Sequence, residues 1–346
     1  MKKLKLLVLL ALMGLSANMN AQTIIVQAPN GANPRTFTDI DAAVADANPG
    51  DYVYFERGTY NIESRWTGYD GLGNYENFLA VEKPLHFVGS GYFYPAEATE
   101  INGNFALRKS ASGSTITGIR FNNDVYLDSI SNVEISRCSI TYGILWLCGT
   151  GTNSRITECV IQTLNGKRDI ITGSSGDYAA TWSSYSNIIL SKNIFVNTMG
   201  YHKNLFMHNN IFISGISYCD HLTMLNNIFI SGAVNVTYSI IENNIYNSEI
   251  QEFATNTYTT NIAEPRENTF DNFLWDGTSD YHLMSGSLGI GAGTDGTDIG
   301  IYGTLSPFKE DRRTAYPQIT VFNIGSETDT AGKLSVNNIT VEAQDK

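Results

Sequence analysis

The sequence predicts an all-β solenoid, a coil of stacked parallel strands closed at its start by a short helix and followed by a small β extension. Three observations predict it. Four segments repeat in register, SKNIFVN from Ser191, HNNIFIS from His208, LNNIFIS from Leu225 and ENNIYNS from Glu242, so that Asn193, Asn210, Asn227 and Asn244 recur every 17 residues. That period is too short for a helical repeat. The repeats are also rich in Ile, Phe, Ser, Thr and Asn, which favour short strands and turns. Finally, the 346 residues are 42% hydrophobic and only 16% charged, which suits one long core and excludes a disordered chain.

Taken in order, residues 1–21 (MKKLKLLVLLALMGLSANMNA) read as a secretory signal peptide. Lys2, Lys3 and Lys5 form a basic head, Leu6 to Leu15 an apolar stretch, and Ala17 or Ala21 a small residue for cleavage. The run is short for a membrane span, and no cysteine follows it to carry a lipid. The mature chain is expected to be soluble and either secreted or periplasmic, with no membrane insertion. The full chain's 34 acidic against 22 basic side chains give a net charge of −12, and without Lys2, Lys3 and Lys5 of the leader the balance becomes 19 minus 34, or −15. Such a surface repels nucleic acid and anionic lipid, which need clustered Lys and Arg. It also repels polyuronates unless a cation bridges the charges, whereas neutral glycans meet no barrier.

Residues 37–47 (FTDIDAAVADA) have the spacing of an amphipathic helix. Thr38 or Asp39 can cap it, Ile40, Ala43, Val44 and Ala47 share a face, and Asn48-Pro49-Gly50 ends it. Such a plug covers the strand edges that a solenoid otherwise exposes. Strand-like segments follow at 50–62, 89–103 and 114–123, and NVEISRCSI and SRITECVI place Cys138 and Cys159 where later coils have Asn. A coil that advances one strand spacing, about 4.8 Å, aligns equivalent residues in columns. Ile188, Leu205 and Leu222 form one, and Leu190, Met207, Met224 and Ile241 another, both inward. The aromatic column Phe195, Phe212, Phe229, Tyr246 is placed inside too. Ile194, Ile211, Ile228 and Ile245 compete for that face, so one of the two faces must be covered or greasy. Asn suits the turns because it tolerates left-handed angles and its amide can bond to the amides above and below. Cys138, Cys148, Cys159 and Cys219 contain no C-x-x-C pair, so zinc is poorly supported. A disulfide between Cys138 and Cys159 needs Cβ atoms at about 3.8 Å, closer than adjacent coils, so stacked thiols are expected.

The passage FTDIDAAVADANPGDYVYFERGTYNI resembles the entry to right-handed parallel β-helix proteins of the pectate-lyase-like superfamily, with a capping helix, a Pro-Gly-Asp turn, a strand and a Gly-x-Tyr turn. The stretch DYHLMSGSLGIGAGTDGTDIGIYG (280–303) resembles the closing coil of many secreted bacterial members. The resemblance covers most of residues 23–305. It implies a single-stranded right-handed parallel β-helix over 22–305; after Pro307 the chain changes character, and residues 306–346 read as a small β extension packing on the last coil. ITVFNI (319–324) and KLSVNNITVE (333–342) alternate like the two strands of that extension. No single activity is implied, because the superfamily holds lyases, hydrolases and adhesins.

Enzymes of this fold work in a groove along one outer sheet with long turns as walls. The coil register nominates the stretch before the inward strand, with columns Tyr185/His202/Cys219/Val236, Ser186/Lys203/Asp220/Thr237 and Asn187/Asn204/His221/Tyr238. Tyr185, Tyr201, Tyr218 and Tyr238 can stack on sugar faces, with His202, Asn204 and Asp220 beside them. Lys203 or His221 can serve as the base and Tyr238 as the acid of a β-elimination. The plainer alternative is a solvated turn with a Lys203–Asp220 pair of little energetic consequence. Asp295 and Asp298 in GTDGTDIG are candidate Ca2+ ligands or simply turn formers. Lys167, Arg168, Asp169, Asp177 and Trp182, and the insert 67–77 with Tyr69, Asp70 and Tyr75, are groove walls or loops. The Asn-Thr-Asp, Asp-Asp and Gly-His-Gly signatures of polygalacturonases are absent, as is the calcium-binding Asp cluster of pectate lyases, and the paired carboxylates of glycoside hydrolysis have no evident home. Polysaccharide binding is therefore expected first, a divergent lyase or hydrolase second, and an adhesin or spacer third.

Overall fold

In the structure the 17-residue register becomes a coil with three straight runs and three corners. Residues Ile188–Ser191 form the first run, Ile194–Phe195 the second and Met199–Lys203 the third. Each pairs in parallel with the same run one coil later: Leu190 with Met207, Phe195 with Phe212, Lys203 with Asp220. This is a computed structural model, and it describes residues 22–64, 78–93, 97–167, 182–247, 252–277, 279–310, 318–328 and 334–344. The expected leader, the insert 67–77 with Tyr69, Asp70 and Tyr75, and Arg168, Asp169 and Asp177 lie outside the described residues.

The chain is an all-β parallel β-helix. The first face is a twelve-stranded sheet from Arg35–Phe37 to Thr257–Thr259. The second and third faces join as a sixteen-stranded sheet, because strands Ser139–Cys148 and Val160–Lys167 each bend around the corner between them. The expected helix is present at Ile40–Asp46. Asp39 caps it by accepting the Ala42 N–H at 2.6 Å, and Ile40, Ala43 and Val44 are buried over the first coil. None of the described helices is long and apolar enough to cross a membrane.

Two corners are held by left-handed residues. At the corner between the first and second faces stand Arg137, Glu158, Lys192, Asn209, Asn226, Asn243 and Thr260, with φ from +49° to +55°. The residue after each points into the core. There Asn193, Asn210, Asn227 and Asn244 form a fully buried ladder. Each Oδ1 from Asn210 onward accepts the backbone N–H of the preceding member at 2.9–3.0 Å. Each Nδ2 donates to the next Oδ1 and to a strand carbonyl such as Leu190 O or Met207 O. Every amide group is thereby paired, as burial demands. Cys159 continues the ladder by donating its N–H to Asn193 Oδ1, and the Cys138 N–H is directed at Cys159 Sγ at 3.4 Å. All four cysteines are buried and none is in a disulfide. The aromatic column lies inside, with rings 4.8 Å apart and within 9° of parallel.

The isoleucine column points outward and is covered. Residues 264–308 do not form the closing coil that 280–303 led one to expect; no strand occurs between Ala263 and Glu310 among the described residues. Instead they fold back along the second face as a strap. Ile194, Ile211, Ile228 and Ile245 pack there with Phe270, Tyr281, Ile299, Ile301 and Phe308. Gly300 makes the close approach possible: its N–H donates to Asn226 O, its φ is +97°, and a Cβ would lie 2.6 Å from Ile228 Cδ1. The physical reason for the correction is the second apolar column, which needs a cover that another coil at the solenoid's end would not supply. At the base of the strap, buried Glu264 accepts bonds from Thr269 Oγ1, Ser287 Oγ and Leu288 N. Beyond it, Gln318–Thr328 and Leu334–Gln344 form an antiparallel hairpin whose side chains lie outside the described residues.

Candidate aromatic binding corner

The third face ends in strands Met199–Lys203, Ile216–Asp220 and Val234–Thr237. His202, Cys219 and Val236 are buried, while Lys203, Asp220 and Thr237 are outward. Asn204, His221 and Tyr238 then turn the corner to the first face with φ of +56°, +53° and +52°. Tyr201 and Tyr218 are also left-handed, at +65° and +51°. Upstream, Asn132, Asn153 and Asn187 occupy the same corner. Among the described residues, every aromatic ring at positive φ belongs to this patch: Tyr201, Tyr218, His221 and Tyr238. Bulky residues are disfavoured in that region by about 1–2 kcal/mol each, and Asn far less. The chain uses Asn along this corner and then changes to the larger rings of His221 and Tyr238 at the same backbone geometry.

The rings pair from coil to coil. Tyr201 stacks on Tyr218 with centroids 4.9 Å apart and planes 14° apart, and His221 stacks on Tyr238 at 5.4 Å and 22°. Tyr218 and Tyr238 are each 62% exposed. Lys203 Nζ lies 3.1 Å from Asp220 Oδ2 and 4.5 Å above the Trp182 ring. Asp220 Oδ1 lies 3.3 Å from His221 Nδ1. The structure thus brings together Lys203, Asp220, His221, Tyr238, Tyr201 and Tyr218, with Asn204 beside them bonding Asp220 O through its N–H. Lys203 and Asp220 offset each other's charge, which leaves a nearly neutral, aromatic patch on an acidic molecule.

Two expected binding residues are inside. Tyr185 is 1% exposed; its hydroxyl donates to Leu127 O at 2.8 Å and accepts the Ile130 N–H at 3.2 Å. It pairs with Gly151, where a Cβ would lie 2.2 Å from the ring, so the missing side chain lets the tyrosine turn inward. Burial pushes its phenol well above the ordinary range. His202 is fully buried, with Nδ1 3.2 Å from Ser183 Oγ and Nε2 3.3 Å from Leu164 O. Left-handed Tyr201 breaks the strand's alternation and gives His202 the inward place. Burial lowers its pKa to about 4. Neither side chain can reach a sugar. Asp295 and Asp298 close turns of the strap: Asp295 Oδ1 accepts from Thr297 N and Oγ1, and Asp298 Oδ1 from Gly291 N. The Thr297 hydroxyl and N–H hold the Asp295 carboxyl below its usual range. Among the described residues no group of three or more His, Cys, Asp or Glu is arranged to hold a metal ion.

A second cluster on the same face escaped the sequence reading. Asp124 accepts from Trp146 Nε1 at 2.8 Å, Tyr126 OH at 3.1 Å and Ile144 N at 2.8 Å. Tyr126 and Trp146 stack at 6.4 Å and 10°. The available signal was the 20-residue spacing of Ala106, Tyr126 and Trp146, register partners on successive coils. No protein-family model matches this chain, and no curated protein matches it.

Proposed function

We propose that this chain is an exported β-helix protein, a divergent member of the pectate-lyase-like superfamily, which binds a neutral polysaccharide at the corner formed by Tyr201, Lys203, Asn204, Tyr218, Asp220, His221 and Tyr238. The observation that carries the reading is the confinement, among the described residues, of left-handed aromatic residues to this one patch. Exposed tyrosines offer sugars an apolar ring with a polar tip. The net charge of −12 favours neutral over acidic glycans. Export rests on the basic and apolar pattern of residues 1–21.

Catalysis is the second reading, favoured by one observation: a lysine, a histidine and a tyrosine stand together around Asp220. One experiment weighs both. The purified protein is titrated with mannan, xylan, mixed-linkage β-glucan, pectin and alginate, with and without Ca2+, while binding and the release of unsaturated or reducing ends are followed. The expected result is binding to at least one neutral glycan without product, weakened at least tenfold in Tyr218→Asn and Tyr238→Asn. Product that disappears in His221→Ala would replace binding by catalysis. No binding to any of the five would leave the spacer role in place of both.

A further inference from the structure

The direction of the rings at this corner constrains the path of the ligand. Each aromatic pair is stacked between neighbouring coils, so the ring normals lie closer to the solenoid axis than to the strands. One face of every ring is used by its partner. Tyr201 precedes Tyr218 and His221 precedes Tyr238 in coil order, so the faces of Tyr218 and Tyr238 that their partners leave free look toward the later coils.

Both faces are open for identifiable reasons. Opposite Tyr218 the register slips: Ile216 pairs with Val234, but Cys219 pairs with Val236, so two residues, Ser217 and Tyr218, oppose the single Asn235. This is a β-bulge, with an extra residue on one strand and none on the next. The coil of Val234–Thr237 therefore sets no ring on Tyr218, and a step remains with Tyr218 as its wall beside exposed Asn235. Tyr238 is 62% exposed, and the register of Ile240 with Thr257 sets exposed Thr255, not a ring, one coil after it.

Resting on the binding reading above, we infer that the glycan crosses the solenoid parallel to the strands, rather than running along the axis, and stacks its sugar rings on the open faces of Tyr218 and Tyr238. A sugar stacked on either tyrosine has its mean plane across the axis. In an extended glycan that plane contains the chain direction, so an axial chain would present ring edges, not faces, to these tyrosines. A transverse chain meets both. Tyr218 and His221 are three residues apart in one coil, which places the two open rings at most about 10 Å of chain apart, across the corner and offset by one coil spacing of about 4.8 Å. The five-residue strand Ile216–Asp220 is about 17 Å long, which is room for about three sugars. The site is thus a short one, suited to a chain end or to a single segment of a longer neutral glycan.

The test uses the full-length protein and size-defined oligosaccharides of two to eight units from the mannan, xylan and β-glucan series. Crossing predicts an affinity that rises to about the trisaccharide and then stays level. It also predicts that Asn235→Trp, which fills the step from an exposed position, weakens trisaccharide binding at least tenfold with an unchanged melting temperature. Affinity that continues to climb from the trisaccharide to the octasaccharide, with Asn235→Trp bound as tightly as the unaltered chain, would establish an axial path and overturn the inference while leaving glycan binding intact. Failure of every oligosaccharide and parent polysaccharide to bind would instead remove the binding reading itself.

Discussion

The two left-handed corners of the solenoid use the same backbone device for opposite ends. At the corner beside the strap, Asn209, Asn226 and Asn243 turn their amides onto returning chain: Asn209 Nδ2 donates to Gly300 O, Asn226 Nδ2 to Thr294 Oγ1 and Asn243 Nδ2 to Ala292 O. Upstream the column becomes charged, with Glu158 bridging Arg137 at 2.8 Å and Lys192 at 3.1 Å, and Lys192 also donates to Ser306 O near the end of the strap. At the other corner no chain returns among the described residues, and the series Asn153, Asn187, Asn204 gives way to His221 and Tyr238. Amides at a left-handed corner are cheap in backbone energy and serve at both corners, while bulkier rings there cost more and, among the described residues, occur only at the open one. On the proposed binding function, the partner of those rings comes from outside.

The largest expected effect concerns what lies just inside each corner. Inside the strap corner is the asparagine ladder, which does not titrate. Inside the open corner is His202, whose pKa is lowered from 6.5 to about 4 by burial. Above pH 6.5 the imidazole is neutral in both folded and unfolded chains, and its contribution to stability is fully present. As pH falls from 6.5 toward 4 the unfolded chain takes up the proton first, and about 3 kcal/mol is lost. His208 and His86, lowered by partial burial, act in the same direction. Urea midpoints followed from pH 7.5 to 4 should fall steeply for the unaltered chain and less steeply for His202→Gln. Equal slopes would show that acid sensitivity does not originate at the open corner.

Much of this architecture was legible because stacking makes sequence period and spatial column the same thing. The Asn193 series, the Phe195 series and the capping helix needed only counting. The sequence also signalled the strap, since Ile194, Ile211, Ile228 and Ile245 were apolar next to an already apolar column. Nothing in the period said which segment covers them, because the strap's contacts join residues such as Asn243 and Ala292, 49 positions apart, or Asn209 and Gly300, 91 apart, with no repeat of their own. The candidate site was legible in part. Lys203, Asp220, His221 and Tyr238 lie in the predicted columns, because strand register fixes them. Tyr185 and His202 went inward for reasons that period 2 cannot express: a glycine opposite one, and a left-handed residue before the other. The cluster of Asp124, Tyr126 and Trp146 was lost because a 17-residue ruler was laid over coils that are about 20 residues long.

A middle-sized effect sharpens the contrast between the corners directly. Asn226→Ala removes two bonds to Thr294, one from Nδ2 at 2.9 Å and one accepted by Oδ1 at 3.0 Å, and puts Ala at φ +55°. The expected loss is about 2–3 kcal/mol, from the bonds and the backbone together. Asn204→Ala, at the exposed open corner, loses only the backbone preference, about 1 kcal/mol. Chemical denaturation of both variants measures the difference. Equal losses would mean that the strap draws no stability from the amides beneath it.

The smallest effect is the most diagnostic, because its sign is unusual. Tyr238 is 62% exposed and left-handed, with its ring stacked on His221. Replacing it by Asn restores the residue type that the corner uses upstream. The substitution gives up part of one ring contact, roughly 0.5 kcal/mol at an exposed position, and recovers about 1 kcal/mol of backbone strain. Tyr238→Asn is therefore expected to unfold at the same denaturant concentration as the unaltered chain or slightly above it, by up to about 1 kcal/mol. A residue whose removal costs the fold nothing is retained for another purpose. A clear loss of stability in Tyr238→Asn would mean that the ring is structural, and the distinction between an internally partnered corner and an externally partnered one would no longer hold.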